Sequence, residues 1–431
     1  MKQRHWLLLS CLICFCWLYA LQPMYAQKKK DDRAMLYFLA KDTVDRGIIG
    51  YFYSLQGPAY SDPLVPKFII ASRNRNLLLG IGGYVRLRGS YDFRGVCDSE
   101  EFHTYDIGVP NAGNPSQELR MNAGSSRLFM RLIANTSRIG RLVAYIEGDF
   151  LGQDRAFRLR QANISFLGFT FGQALSTYVD SKSYAPSLDQ NGGIVALNQR
   201  SPLVRYEHSF KNGIGIAVSA ELPPFSGTYQ EGVTGSASAQ VPDFPFYIQY
   251  RWKECGVRLT GIVRDLPYHD ILHNSWHRVF GAGAKLSGNF CFTPFFQGVG
   301  YVSYGKGIST YTLDLSGAGM DILPDYDRSG KMFAPRTAVY YGGLRINFSR
   351  NVYSGLSYSY LRLYTNSSFR SAPDFDASSF YKYAQSATVA LIWDFLPSAT
   401  CGVEYLWGQR VNYDGSKGHA NRIYTSIRYN F

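Results

Sequence analysis

Beyond its amino-terminal leader, this 431-residue chain has no long apolar run. A membrane-crossing helix needs about 18 or more consecutive apolar residues, so a helical membrane bundle is excluded. Cysteine is scarce. Of seven, Cys11, Cys14 and Cys16 fall in the leader, while Cys97, Cys255, Cys291 and Cys401 lie far apart without C-x-x-C spacing. A zinc site and a disulfide scaffold are thereby excluded, and free thiols are expected. No internal repeat, linker-like shift or low-complexity tract divides the chain, although it is long enough for two soluble domains. Gly281-Ala282-Gly283-Ala284 and Gly80-Ile81-Gly82-Gly83 lack the lysine and the strand-to-helix context of a phosphate loop. His208 near Ser176 is too common a pairing to mark a nucleophile and its base. His269, His273 and His277 recur every four residues beside Asp270, a metal-binding spacing on a helix, but Pro267 places them in a loop. No catalytic residue, cofactor or metal is expected.

The sequence opens with a secretory pattern. Lys2 and Arg4 precede an apolar core from Trp6 to Leu21, and Met24-Tyr25-Ala26 fits a cleavage site, giving a signal peptide over 1–26. Leu8-Leu9-Ser10-Cys11 has too little apolar sequence before it to act as a lipoprotein box. Losing Lys2 and Arg4 leaves 43 basic against 32 acidic residues, a surplus of 11. Such a surplus commonly serves nucleic acid or anionic lipid. In an exported protein it implies a field favouring anionic solutes, and no nucleic-acid partner is expected. Mean hydropathy is only −0.17, yet there are 33 Tyr, 28 Phe and 42 Gly. Strands that alternate lipid-facing with water-facing side chains give this mixture, with aromatic girdles at both interfaces.

The closing residues, Arg422 to Phe431, alternate strictly. Ile423, Thr425, Ile427, Tyr429 and Phe431 oppose Arg422, Tyr424, Ser426, Arg428 and Asn430. The ending is similar to the last strand of a bacterial outer-membrane barrel, and Tyr429 and Phe431 are similar to the signal read by the barrel-assembly machinery. About sixteen strand-like segments follow from residue 78, each long enough for the ~9–11 tilted residues a bilayer requires. They are 78–94, 125–136, 139–151, 155–167, 168–177, 199–210, 213–222 and 243–253, then 255–265, 277–287, 291–304, 335–348, 351–364, 382–394, 399–410 and 420–431. Short turns at 135–138, 211–212, 287–289, 349–351 and 396–397 alternate with long polar connections at 95–124, 178–198, 223–242, 305–334 and 365–381. The expected fold is all-β: a transmembrane antiparallel up-and-down barrel over 78–431, with short periplasmic turns and long extracellular loops. Residues 27–77 form an amino-terminal segment on the periplasmic side, with a short helix around Met35, Leu36 and Leu39 or a stretch that contacts the lumen.

Arg158-Leu159-Arg160-Gln161-Ala162, Phe171-Gly172-Gln173, Ser176-Thr177, Asp180, Leu188-Asp189, Gly192-Gly193, Arg200 and Arg205-Tyr206 form the most specific stretch. With Gly82-Gly83-Tyr84-Val85-Arg86, it resembles the DcaP-like porins of Gram-negative outer membranes. The family pattern has Trp where this chain has Ala174-Leu175. Residues 28–66 also lack the heptads of the amino-terminal coiled coil found in some members. The resemblance implies a homotrimer in outer-membrane lipid, with the loop after the fifth strand, 178–198, folded inward as a constriction. Asp180, Lys182 and Asp189 lie in that loop. Arg86, Arg88, Arg127, Arg131, Arg141, Arg158, Arg160, Arg200, Arg205 and Arg258 are expected on the lumen side. Arginine stays charged and offers a planar fork matched to carboxylate or phosphate. The expected function is passive diffusion of small hydrophilic anions, of carboxylate type. The alternatives are a plugged barrel acting as an adhesin or structural protein, and a barrel lipase.

Overall fold

The computed structural model describes residues 34–38, 52, 55, 62–72, 76–95, 101–109, 117–189, 199–373 and 375–431. The chain forms a closed barrel of sixteen antiparallel strands. β1 is Leu77–Arg94, and β2 is Glu118–Asn122 resuming as Arg127–Thr136. β3 (Gly140–Asp149), β4 (Arg158–Phe166) and β5 (Phe169–Leu175) are short. β6 (Arg200–Ser209), β7 (Ile214–Glu221) and β8 (Phe244–Trp252) follow, then the long hairpin β9 (Cys255–Asp270) and β10 (Ser275–Cys291). β11 (Phe296–Lys306), β12 (Arg336–Asn347), β13 (Val352–Tyr364), β14 (Tyr381–Leu396), β15 (Ala399–Asn412) and β16 (Lys417–Asn430) complete the ring. β16 pairs with β1, Asn430 opposite Tyr84 and Ile423 opposite Tyr91, so the sheet closes on itself. Phe431 continues the ladder, exchanging two 3.0 Å backbone hydrogen bonds with Gly83.

The alternation read from the sequence sets the faces. Val389, Leu391 and Trp393 point outward, each about half exposed (49, 47 and 52%), whereas Glu404 and Arg422 inside are fully buried. An apolar exterior around a charged interior inverts the order of a water-soluble protein. One end of the barrel carries only connections of two to four residues, at 137–139, 167–168, 210–213, 253–254, 292–295, 348–351 and 397–398. The other end carries the long ones, 95–117, 176–199, 222–243, 307–335 and 365–380, beside a shorter 150–157 and two tight turns, 271–274 and 413–416.

Three local expectations are corrected. Ser287-Gly288-Asn289 is no turn: β10 runs on to Cys291 and the chain turns at 292–295. Ser287 and Asn289 point into the barrel, where Ser287 binds Asp180 and Asn289 binds the Glu254 carbonyl. Lumen-facing polar residues imitate turn chemistry. Pro267 does not end β9, which continues opposite β10 through Asp270. His269, His273 and His277 therefore occupy a strand, a turn and a strand, with His273 hydrogen-bonded to Asp270 at 2.9 Å. Finally, Ala34–Phe38 is a strand, not a helix, paired with Phe68–Ser72, which in turn pairs with the start of β1. Cys255, Cys291 and Cys401 are free and partly buried; Cys97 and the leader lie outside the described residues.

Candidate functional site: a constriction in the lumen

The connection after β5 folds into the barrel, and its described part, residues 176–189, can be traced around the inner wall. Thr177 donates its amide to Glu221 of β7 at 2.8 Å. The Tyr178 hydroxyl meets Ser303 of β11 at 2.8 Å, and Lys285 of β10 reaches the Tyr178 carbonyl. Arg258 donates to the Val179 carbonyl at 3.0 Å. Asp180 accepts from Ser287 at 2.7 Å and lies 3.5 and 4.0 Å from Arg251 and Arg258. Burial alone would raise its carboxyl. Arg258, the Ser287 hydroxyl, Lys285 and Arg251 outweigh burial and hold it below the ordinary aspartate range. Further on, the Ala185 amide donates to the Tyr341 hydroxyl at 3.1 Å. Pro186 crosses β13 so closely that any side chain at Gly355 would strike its carbonyl. The far end is fixed by one carboxylate. Glu404 of β15 accepts from the Ser187 hydroxyl (2.7 Å) and from the amides of Leu188 (2.8 Å) and Asp189 (2.9 Å). Arg86 of β1 donates to the Leu188 carbonyl and, at 2.9 Å, to Ser426. Asp189 is itself buried. Of these anchors, the sequence pattern alone does not pick out Glu404, Lys285, Ser287 or Tyr341; their one signal is a polar residue on the inward face of its strand.

Beyond Arg86 and Arg258, which hold the loop, most lumen arginines fall into two groups. Glu147 lies between Arg127 (3.1 Å) and Arg160 (3.0 Å), and Asp149 between Arg160 (2.6 Å) and Arg158 (2.8 Å). A one-residue register shift between Glu147 and Gly148 brings Arg160 to both acids. Arg88 lies over the Tyr424 ring at 4.9 Å. Arg422 holds Asp92 in a bidentate pair at 2.6 and 2.8 Å. These side chains knit the wall. Arg131, Arg200 and Arg205 instead line a cleft of about 280 Å³ with Glu147, Gln161, Asn163 and Ser181. Arg131 also stacks over Tyr145 at 4.6 Å. Arg141 is exposed near the turn end of β3. Lys182 is exposed on the loop, where partial burial and the charge of Arg251 lower its ammonium below the ordinary value.

Across this cleft stands the segment before β1. Phe52 packs with Ile69, Ala71, Leu78 and Ile133, and with Leu55 and Val65. A Cβ at the inward-facing Gly80 would come within 2.5 Å of the Phe52 ring and 2.6 Å of Pro66. Glycine there lets the segment lie flat on the wall. Leu55, Asp62 and Pro63 face the cleft.

The other side of the barrel is filled. Tyr301, Val339, Tyr341, Leu361, Leu363 and Tyr381 of β11 to β14 pack with Ala185, Leu315, Met320, Leu323 and Phe369 from three inward-folded loops. Asp314, in the long connection 307–335, accepts from the Thr104 hydroxyl (2.6 Å) and the Tyr105 amide (3.1 Å), tying that connection to 95–117.

A sixteen-stranded barrel with an apolar exterior and a charged, loop-narrowed interior defines the porin class of outer-membrane channel. Among the described residues no helix is long and apolar enough to cross a membrane; the strands cross. A family model for the DcaP outer membrane protein matches residues 69–431. The chain belongs to that family. No curated protein matches it. Among solved structures it is similar to the outer membrane channel DcaP of Acinetobacter baumannii, with 20% identity and a TM-score of 0.70 over 84% of this chain and 99% of that one. An anion-selective porin from Comamonas acidovorans gives 13% identity and 0.55 over 82% and 100%. OmpT of Vibrio cholerae in a trimer form gives 10% identity and 0.50 over 82% and 99%. At these identities the likenesses show the fold. The family model places the protein in the outer membrane, among channels.

Proposed function

We propose that the protein is a passive outer-membrane porin for small hydrophilic anions, chiefly carboxylates, delivered by a signal peptide over residues 1–26. Its tight-turn end faces the periplasm and its long-loop end the exterior. One observation carries the reading. The wall acids Glu147 and Asp149 are each shared between two arginines, and the cleft adds Arg131, Arg200 and Arg205 against the carboxylates of Glu147 and Asp62, a surplus of positive charge. A low-dielectric tube concentrates such a field on passing ions. The Comamonas porin to which the chain is similar is anion-selective, which supports the sign. The trimer form of OmpT supports assembly as a homotrimer, with Phe166, Phe169 and Phe171 of the short strands as an aromatic outer wall. Catalysis forms no part of the reading. The test is the reversal potential of the purified protein in a planar bilayer under a potassium chloride gradient: anion preference is expected, and cation preference overturns it. A plugged barrel serving as adhesin or structural protein has one observation in its favour, the apolar filling against β11 to β14. Absence of any conductance would establish it.

A further inference from the structure

We infer that Asp62 is a tethered carboxylate occupying the anion seat of the lumen, so that a passing carboxylate binds by exchanging with it. The inference rests on the anion-favouring reading above and goes beyond it by assigning the amino-terminal segment a role in setting affinity.

Asp62 lines the same cleft as Arg131 and Arg200. Arg205, Tyr145 and Glu147 line it too, and the Tyr145 hydroxyl donates to Glu147 at 2.9 Å. Glu147, the wall acid of the cleft, is engaged by Arg127 and Arg160. Asp62 thus brings a second carboxylate, from a separate element, into the cleft that Arg131, Arg200 and Arg205 line. Its placement is built rather than incidental. Pro63 and Pro66 follow it and are buried, and their fixed φ limits the conformations the chain can adopt there. Phe52 and Val65 pack with Ile69, Leu78 and Ile133, and Gly80 gives Phe52 and Pro66 their room. The seat therefore recognises one carboxylate by arginine forks. A free anion competes against an intramolecular rival whose effective concentration is on the order of millimolar or more. Weak binding with rapid release suits a conducting pore, which must let each ion leave.

The test compares full-length wild type with Asp62→Asn in planar bilayers, under a potassium chloride gradient and then with acetate titrated against the chloride current. In Asp62→Asn, the half-blocking acetate concentration is expected to fall about tenfold, as for loss of one charge-assisted rival, and chloride preference to rise. Asp62→Glu should retain wild-type block. Should the amide variant fail to assemble, Asp62→Ser removes the same charge. Identical acetate block in wild type and the neutral variants, with wild type anion-selective, overturns the inference alone. A cation-selective wild type overturns the anion reading, and the inference with it. Combining Asp62→Asn with Arg200→Gln separates charge exchange from mere packing. The two changes should be strongly non-additive in acetate block, and additivity also overturns the inference.

Discussion

The wall of β11 to β14 and the wall of β2 to β6 belong to one ring, yet the chain uses them oppositely. On the first, inward residues are Tyr, Val and Leu, and loops descend to cover them until Leu361 and Leu363 are fully buried. On the second, inward residues are Arg, Glu, Asn and Gln, and a cleft remains beside them. Barrel closure fixes the ring but not what fills it. The inward half of each strand's alternation decides that: apolar inward residues gain by recruiting a loop, while charged ones are satisfied by one another. Stability should reside in the first wall and selectivity in the second.

The sharpest way to break this contrast is Leu361→Asp, which buries an uncompensated carboxylate in the filled half. A loss of about 3–5 kcal/mol is expected, read as a lowered thermal midpoint of the folded band in detergent, with reversal potential unchanged in the surviving channels. Arg160→Ala tests the second wall itself, because it takes a partner from both Glu147 and Asp149. It should cost about 2–4 kcal/mol and shift permeability toward cations. Changing Arg131, Arg200 and Arg205 together to Gln should cut the anion-to-cation permeability ratio severalfold while lowering stability by only about 1 kcal/mol per residue. An unchanged permeability ratio in both arginine variants would remove the distinction.

A fourth and smaller effect concerns acid. Burial raises the Asp314 carboxyl above the ordinary aspartate value, outweighing its hydrogen bond from Thr104. A raised folded-state value means that its contribution to loop docking is complete below the unfolded value and declines as pH rises through the folded one. Asp180 is shifted the opposite way, so its contribution persists until pH falls through its lowered value. Acidifying the loop-end chamber from about pH 7 to about pH 4 should therefore tighten the 307–335 connection onto Thr104 and Tyr105 while leaving the Asp180 anchor in place. Open-channel current noise should fall, and Asp314→Asn should abolish the change.

Much of the barrel is legible in the residues, because lipid outside and water inside impose period two on each strand. Leu142, Ala144 and Ile146 against Tyr145, Glu147 and Asp149 is enough to assign both faces of β3. The pairing of the arginines is not legible. It depends on cross-strand register, and a single shift at Glu147 hands Arg160 to two acids. The filled half is hidden for a related reason. The connection carrying Leu315, Met320 and Leu323 has no periodicity, and its burial follows from a wall far away in sequence. Asp62 is equally silent, since Pro63 and Pro66 read as irregular chain and only the folded ring shows what they face.

The seam between β16 and β1 joins residues such as Ser426 and Arg86 that are 340 positions apart. The first strand synthesised must wait for the last, so the final step is slow by topology and leaves a bare edge during biogenesis. Phe68–Ser72 pairs with Leu78 to Ile81 along the stretch of β1 beyond Phe431, needing only a hairpin's reach to get there. A nascent first strand can thus be sheathed locally at once, leaving a shorter margin for its late-arriving mate to zip.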